Sequence, residues 1–519
     1  MSVTSRRAFL HASAGGAVVL AASACTTSAA VGTAAAEVPG PPAAAQAVMD
    51  GPRYAISRWF LHVSDRETGE ALMELNADQL VLPASTTKLW STAAALDTFG
   101  PGFRFETPVY RRGTLAEDTL TGDLVLVATG DMTMGGRTLP DGTVAFTPLD
   151  HAEANDLPGA TLTDPDPLAG LDELARQVAA TGIRRVQGDV LIDARLYEQT
   201  DKDGYVLSPI IVNDNLVDVT VTAGVAGVTV QTRPETAAYT VRSTVTVGEG
   251  SPTAKEVEPG VIEVSGQIAP GSPVLRTVHV TDPPSFARTL FIEALARAGV
   301  AVSAAPTGPN PEAALPPEGS LTDRVALLTS PPFSEYVKLI NKVSMNYHAD
   351  TQILLLAAKA GKKTFDDGMA LLGPFVESLG IDPKTLMLAD GRGNSYTDLF
   401  TPQTCGELLR AMAKRPDFGA YFASMPVYGV DGTESTVVPA NSPAKGQVAA
   451  KSGTTVAGDL MNGRGVVMTR GNAGYMTSKS GRRLVVAAYV MHTPIGAIED
   501  VFEVARDVAS VVVAAWEAT

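Results

Sequence analysis

Cysteine is nearly absent from this chain: Cys25 and Cys405 are the only two in 519 residues. Cys25 ends a signal-like segment, which leaves one thiol for the folded body and excludes a disulfide-stapled fold. Cysteine usage therefore does not set the compartment. Aromatic residues are sparse as well, at 6% with three Trp, and read as core. Positive charge is in deficit: 40 Lys and Arg against 56 Asp and Glu give a net charge of −16. That argues against a nucleic-acid partner, which needs a basic face. The acidic excess alone names no substrate. The one apolar stretch near the N-terminus, Ala12–Ala24, is too short and too rich in small residues for a convincing membrane span. Gly-x-Ser-x-Gly, His-Glu-x-x-His and a phosphate-binding Gly-rich Lys loop are all missing. Nothing calls for a cofactor, and no fixed-period repeat is present.

What the chain does have is ample apolar material, 45% of residues, and a length that suggests roughly three domains. Ser5-Arg6-Arg7-Ala8-Phe9-Leu10 resembles the twin-arginine export motif. Ala22-Ser23-Ala24-Cys25 resembles a lipoprotein box, with alanine in place of the usual leucine three places before the cysteine. Two readings stay open: lipidation of Cys25, which would tether the protein to the outer face of the membrane, and cleavage after Ala24. Both expect export to a periplasmic or cell-wall space.

Residues 1–25 are thus read as an export signal. Thr26 to about Ala45, rich in Ala, Pro, Gly and Thr, is read as a disordered tether. A helix is expected near Ala43–Asp50, then a hairpin of Ser57–Ser64 and Ala71–Asn76, then a helix from Ser85 to about Thr98. Strands are expected at Asp123–Ala128 and Gly188–Asp193, with a helix at Leu168–Thr181 and a long loop at Gly135–Pro167. Leu216–Thr281 alternates Val and Thr, an all-β signal, before a helix at Pro284–Gly299. Helices dominate Pro332 to about Met425. Strands are expected at Gln447–Ala450, Gly465–Thr469 and Arg483–Met491, with a closing helix at Ile498–Trp516. Strands and helices at both ends of the chain suggest one domain, 46–108 plus 322–519, split by an insertion at 109–321. The insertion reads as an α/β part at about 113–205 and a mostly β part at about 206–321.

Three short pieces carry the chemistry: Ser85-Thr86-Thr87-Lys88, Ser344-Met345-Asn346 and Lys451-Ser452-Gly453. A serine three residues ahead of a lysine on a helix puts hydroxyl and amine on one face. A neutral amine there can take the hydroxyl proton and activate the nucleophile. The amine is neutral near pH 7 only if burial or a nearby cation depresses its pKa, and Lys451 is a candidate for that cation. Ser344 can pass a proton to a leaving amine, and the Asn346 amide can hold a substrate carbonyl. Lys451, Ser452 and Thr454 follow the apolar Val448-Ala449-Ala450 as a strand would, and suit a substrate carboxylate, while Gly453 leaves room for close approach. Alone, Ser-x-x-Lys usually marks a helix cap with a surface lysine, and Ser-x-Asn a turn. Together and in this order they match the signature set of penicillin-binding proteins and serine β-lactamases. Lys479-Ser480-Gly481, followed by two arginines between strand-like runs, reads as a hairpin turn instead.

Longer blocks sharpen the likeness. Pro83–Leu89 with Phe99–Phe105, Gly122–Val125 with Gly130-Asp131, Gly188–Asp193, Asn213-Asp214-Asn215, Ser344–Ala349 and Asp390–Gly393 together resemble the D-alanyl-D-alanine carboxypeptidase/endopeptidase family, the class C low-molecular-mass penicillin-binding proteins. The resemblance covers nearly the whole chain after residue 45. It implies an α/β multidomain fold, in which a transpeptidase/β-lactamase-like domain (an antiparallel sheet flanked by helices) is interrupted by two nested, β-rich inserted domains. It implies a serine acyl-enzyme acting on peptidoglycan stem peptides, with β-lactams as covalent inhibitors. Carried over by motif, Ser85 is the nucleophile and Lys88 its base. Ser344 and Lys451 relay a proton to the leaving amine, and Asn346 positions the substrate amide. Lys451, Ser452 and Thr454 receive the terminal carboxylate, and the backbone N–H groups of Ser85 and Thr454 form the oxyanion hole. Three departures stand out: Ser452 for the commoner threonine, Met345 where Asp is frequent, and Asp390-Gly391-Arg392-Gly393-Asn394-Ser395-Tyr396 for the usual Asp-Gly-Ser-Gly-Leu-Ser-Arg. A serine β-lactamase and a non-catalytic wall-binding protein are the competing functions.

Asp150, His151, Glu153 and Asp156 crowd one loop. They lack established ligand spacing, so they are read as solvated turn residues and no metal is expected. His348 is expected to support the site through a hydrogen bond rather than to transfer protons.

Overall fold

Leu484-Val485-Val486-Ala487-Ala488-Tyr489-Val490 is an unbroken apolar run, and its reason is visible in the computed structural model. The structure describes residues 38–519 apart from 226 and 272. Within it, Val38–Thr519 form one compact unit. The export motif, the tether start and Cys25 lie outside the described residues. No helix among the described residues is long and apolar enough to cross a membrane.

The run belongs to a five-stranded antiparallel sheet whose strands come from both ends of the chain. In chain order they are β1 (Arg58–Asp65), β2 (Ala71–Leu75), β3 (Val448–Asp459), β4 (Arg464–Thr477) and β5 (Arg483–Ile495). Their spatial order is β3-β4-β5-β1-β2. Successive strand residues face opposite sides. Hence Leu484, Val486, Ala488 and Val490 enter one core, while Val485, Ala487 and Tyr489 enter another. Both faces are covered, so the strand has no polar alternation. Three helices matter below: α1 (Lys88–Phe99), α2 (Asn346–Lys359) and α3 (Asp500–Ala518). On one face α3 sets Val501, Val504, Val508, Val512 and Ala515 against the sheet at helical spacing. On the other face lie α1 and α2, with Leu89, Trp90, Ala93, Leu96, Ile353 and Leu354 in the shared core. The observed β3 and β4 run well past the strands expected at Gln447–Ala450 and Gly465–Thr469, because the residues beyond them pair from Val448↔Met476 to Asp459↔Arg464, with one register shift after Thr455.

The inserted region leaves along Glu106–Ala116 and returns along Arg324–Thr329, and these two strands pair antiparallel. They lie in a six-stranded mixed sheet with Thr119–Val127, Arg185–Val186, Val190–Asp193 and Ala301–Val302. Helices Ala169–Ala180 and Pro283–Arg297 share its core through Leu171, Leu174, Leu290 and Phe291. Residues 216–279 form small β-sheets, as the Val/Thr alternation implies.

Asn213, Asp214 and Asn215 have φ of +53°, +55° and +53°. Three consecutive non-glycine residues in the left-handed region are strained. The conformation aims the Asp214 carboxylate into a buried seam between insertion and core. Arg137 Nη2 donates to it over 2.7 Å and His348 Nε2 lies 2.7 Å away. Arg137 also forks onto Asp150 at 2.8 and 2.7 Å, and His151 lies 2.7 Å from Asp218. Asp150 and His151 are therefore not solvated turn residues. A guanidinium supplies the charge that lets them be buried. Of the four crowded residues only Asp156 is exposed. His348 makes the supporting contact expected of it.

Burial by itself would lower the His151 pKa, but Asp218, Asp150 and Asp214 outweigh it and raise the value from 6.5 to about 10. A raised histidine stabilises fully below its unfolded pKa, and that contribution disappears as pH climbs through the folded one. His151→Asn is accordingly expected to be less stable than wild type at pH 6.5, with the gap closing as pH rises through about 10. Urea unfolding of both proteins across that window is the measurement. A gap that widens with pH would contradict the assignment.

Candidate active site

Pro83 starts the turn that carries Ser85. Thr86 donates from its backbone N–H at 3.2 Å and from its Oγ1 at 2.7 Å to the Pro83 carbonyl. The turn, Ala84–Thr87, is a 3₁₀ helix, and α1 begins only at Lys88, later than the helix start expected at Ser85. In a 3₁₀ turn residues i and i+3 eclipse, which stacks the lysine over the serine. Lys88 Nζ lies 2.7 Å from Ser85 Oγ. Ala84 is forced to φ +46°, a strained value for alanine. Gly393 packs so tightly on the Ala84 carbonyl that a Cβ there would collide with it.

Lys88 is fully buried and touches two further oxygens, Asn346 Oδ1 at 2.7 Å and the Arg392 carbonyl at 2.9 Å. Burial pushes its pKa from 10.5 down to about 7, against the pull of Glu153, Asp390 and Asp350 and with help from Arg392. Desolvation disfavours the ammonium. Lys451 is itself held well below its usual value, first by burial and then by Lys88. Burial, more than a Lys451 cation, is thus the leading cause at Lys88.

Ser344 sits at φ +66° just ahead of α2, whose first residue is Asn346. Its hydroxyl is 2.9 Å from Lys451 Nζ, which also donates over 2.7 Å to the Ser452 carbonyl. The three pieces therefore meet in one place. Ser85, Ser344 and Asn346 are half-buried while their neighbours Ala84, Thr86, Met345 and Tyr347 are buried, so the reactive heads face an opening.

Lys451 lies on β3, an edge strand. Residues 426–428 cover the start of its outer edge, with Tyr428 N–H donating to Val448 and Ala450 N–H to Pro426. Gly453 slides against the serine turn, where a Cβ would come 3.1 Å from the Ser85 nitrogen. Ser452 Oγ is 2.9 Å from Thr433 Oγ1, and Thr454 Oγ1 accepts from Arg470 Nη1 at 2.9 Å. Arg470 in turn donates over 2.7 Å to Glu434, which also accepts from Asn472 at 2.8 Å. Lys479-Ser480-Gly481 is the exposed turn between β4 and β5.

The buried Arg470–Glu434 pair was not foreseen from the sequence, because nothing in its local pattern links residues 36 apart. The sequence did flag Arg392, as a departure, without a role. Glu434 is 0% exposed, so removing its partner strands a buried charge. Arg470→Ala is expected to lower stability by about 3–5 kcal/mol, measured by denaturant unfolding. A loss within the range of a surface substitution would show that solvent reaches the carboxylate.

A hydroxyl, a buried amine with a depressed pKa, an amide and a second buried amine at the free edge of a strand are equipped for acyl transfer. The scaffold beneath them is a mixed α/β fold, a helix-flanked antiparallel sheet with inserted β-rich regions. Residues 43–497 match the family described as D-Ala-D-Ala carboxypeptidase 3 (S13), and the chain belongs to it, a family of serine D-Ala-D-Ala carboxypeptidases. It is 28% identical over 424 residues to a D-alanyl-D-alanine carboxypeptidase of Actinomadura sp. (strain R39), covering 76% of this chain and 72% of that protein. It is 24% identical over 429 residues to the D-alanyl-D-alanine carboxypeptidase DacB of Haemophilus influenzae, covering 76% and 81%. The crystal structure of penicillin binding protein 4 (dacB) from Haemophilus influenzae matches with a TM-score of 0.66 at 20% identity, over 90% of this chain and 98% of that one. A second structure of that protein, complexed with a β-lactam, matches with a TM-score of 0.65.

Proposed function

We propose that the protein is a serine DD-peptidase that cleaves D-Ala-D-Ala ends of peptidoglycan stem peptides through an acyl-enzyme on Ser85. One observation carries the reading: Lys88 Nζ stands 2.7 Å from both Ser85 Oγ and Asn346 Oδ1, with Lys451 Nζ 2.9 Å from Ser344 Oγ across the same site. In the first step Ser85 Oγ–H gives its proton to neutral Lys88, and Oγ bonds to the carbonyl carbon of the penultimate D-alanine. The backbone N–H groups of Ser85 and Thr454 hold the oxyanion, where one such donor contributes ~2.7–4 kcal/mol. The C–N bond then breaks. Ser344, backed by Lys451, delivers a proton to the departing D-alanine amine. Asn346 orients the substrate amide, and Lys451, Ser452 and Thr454 take the terminal carboxylate. Water then releases the acyl group and regenerates Ser85.

The same attack on a strained lactam leaves the ring-opened drug on Ser85, so penicillin is proposed as a covalent inhibitor. The substrate lies in the cell wall, which supports export by the Arg6-Arg7 segment, with lipidation of Cys25 and simple cleavage after Ala24 as the two proposed ways of processing. Residues 46–108 and 322–519 are proposed as the catalytic domain, with 109–321 inserted. The test combines two measurements. Incubation with penicillin should add one drug mass to the protein, and a stem-peptide mimic should release free D-alanine. A protein that binds cell wall but does neither would be a non-catalytic relative, and one that clears its penicillin adduct within seconds a β-lactamase.

A further inference from the structure

Arg392 is a full positive charge, 3% exposed, directly behind the serine–lysine pair. Three groups hold its guanidinium. Nε forms an ion pair with Asp350 Oδ2 at 3.0 Å, without hydrogen-bond alignment. Nη2 donates to Asp203. The Tyr205 ring lies 5.6 Å beneath the guanidinium carbon, within cation–π range. Asp350 is on α2, whereas Asp203 and Tyr205 sit on the inserted hairpin Thr200–Leu207.

The backbone around Arg392 is equally fixed. Gly391 N–H donates to Asp350 Oδ1 at 2.9 Å, and Gly393 N–H to Asp390 Oδ1 at 2.5 Å. Between them the Arg392 carbonyl points at Lys88 Nζ. A neutral amine has two N–H bonds and one lone pair. Two of the three oxygens around Lys88, Asn346 Oδ1 and the Arg392 carbonyl, can only accept. They therefore take both N–H bonds and turn the lone pair onto the hydroxyl of Ser85.

We propose that Arg392 is a positioning residue for this pair: clamped between Asp350 and Asp203, it seats the carbonyl that aims the Lys88 lone pair at Ser85. The inserted hairpin thereby becomes part of the catalytic apparatus. The inference rests on Ser85 and Lys88 acting as proposed above. The guanidinium charge works in the same direction. Lys88 faces Glu153 from the loop after residue 135, Asp390 from the 390–395 turn and Asp350 from α2, all of which favour the ammonium; Arg392 opposes it. Lys451 on β3 faces it as a second amine. Removing Arg392 leaves the acids unopposed, though Asp350, already raised to about 7 by burial, is protonated more readily too and limits the effect.

The test is the second-order rate of acylation by fluorescent penicillin, followed across pH in the full chain. In wild type the acid limb should fall near pH 7, where Lys88 loses its proton. Arg392→Gln should move that limb up by about one pH unit, so the rate on the acid side drops roughly tenfold while the alkaline plateau changes far less. Arg392→Lys, which keeps the charge, should return the limb toward wild type. Asp203→Gly, which suits the left-handed backbone at φ +56°, removes the exposed acceptor that Arg392 shares with Asn394 and should slow acylation several-fold at an unchanged melting temperature. A merely structural arginine would lower the rate equally at every pH. An unmoved limb in Arg392→Gln overturns the proposal, and so does a wild-type rate in Asp203→Gly, which decides the matter if Arg392→Gln does not fold. A wild-type protein that penicillin never acylates removes the serine–lysine reading, and the positioning role with it.

Discussion

Ser85→Ala should release D-alanine from a stem-peptide mimic on the order of 10⁴–10⁶-fold more slowly than wild type and form no penicillin adduct. The magnitude follows from the loss of a nucleophile whose partners act only through it. Ser344 lies against Lys451 rather than Lys88, so no second hydroxyl is placed to take over. Alanine fits the site, since it removes only Oγ from a half-buried position, and circular dichroism should be unchanged. Steady-state D-alanine release and intact-mass spectrometry are the two readouts. An adduct that survives the substitution would move the nucleophile elsewhere.

Lys88→Arg is expected to come next in severity, with acylation reduced by at least about 10²–10⁴-fold, the usual range for a lost general base. Arginine keeps a cation but cannot be deprotonated in this range, so the change separates charge from basicity. Wild type should also lose activity as pH falls through about 7, since Lys88 then picks up a proton. The direction is fixed by the lowered value: a depressed lysine is neutral above its folded pKa and charged below it. Lys88→Arg should lack this limb. Acylation that is near normal in Lys88→Arg would assign the base to another group, with Lys451 the next candidate.

The fold was legible wherever periodicity or a motif reports a local event. The hairpin of β1 and β2 and the helix α3 were expected within a few residues of where they lie. The long reach of β3 and β4 was not, because glycine and threonine carry little strand signal until a neighbouring strand pairs with them. The three pieces proposed to carry catalysis were legible as motifs, and their meeting is a product of sheet order that no local pattern encodes. Asp150 and His151 were misread as solvated turn residues, whereas both are buried against Arg137. A charged loop residue looks the same in sequence whether its partner is water or a buried guanidinium. Arg392 falls between these cases: its letter was noticed, but its function lies in where a backbone carbonyl points.

Strand β1 meets its partner β5 only after some four hundred intervening residues, and β3, which packs Gly453 on the Ser85 turn, is itself held by β4. A contact of such sequence separation forms late, after the loop-closure entropy has been overcome. A nascent chain on the ribosome therefore carries the hydroxyl and its amine long before it carries a hydrolytic centre. The chemistry proposed for Ser85 and Lys88 waits until the final strands have been made and docked.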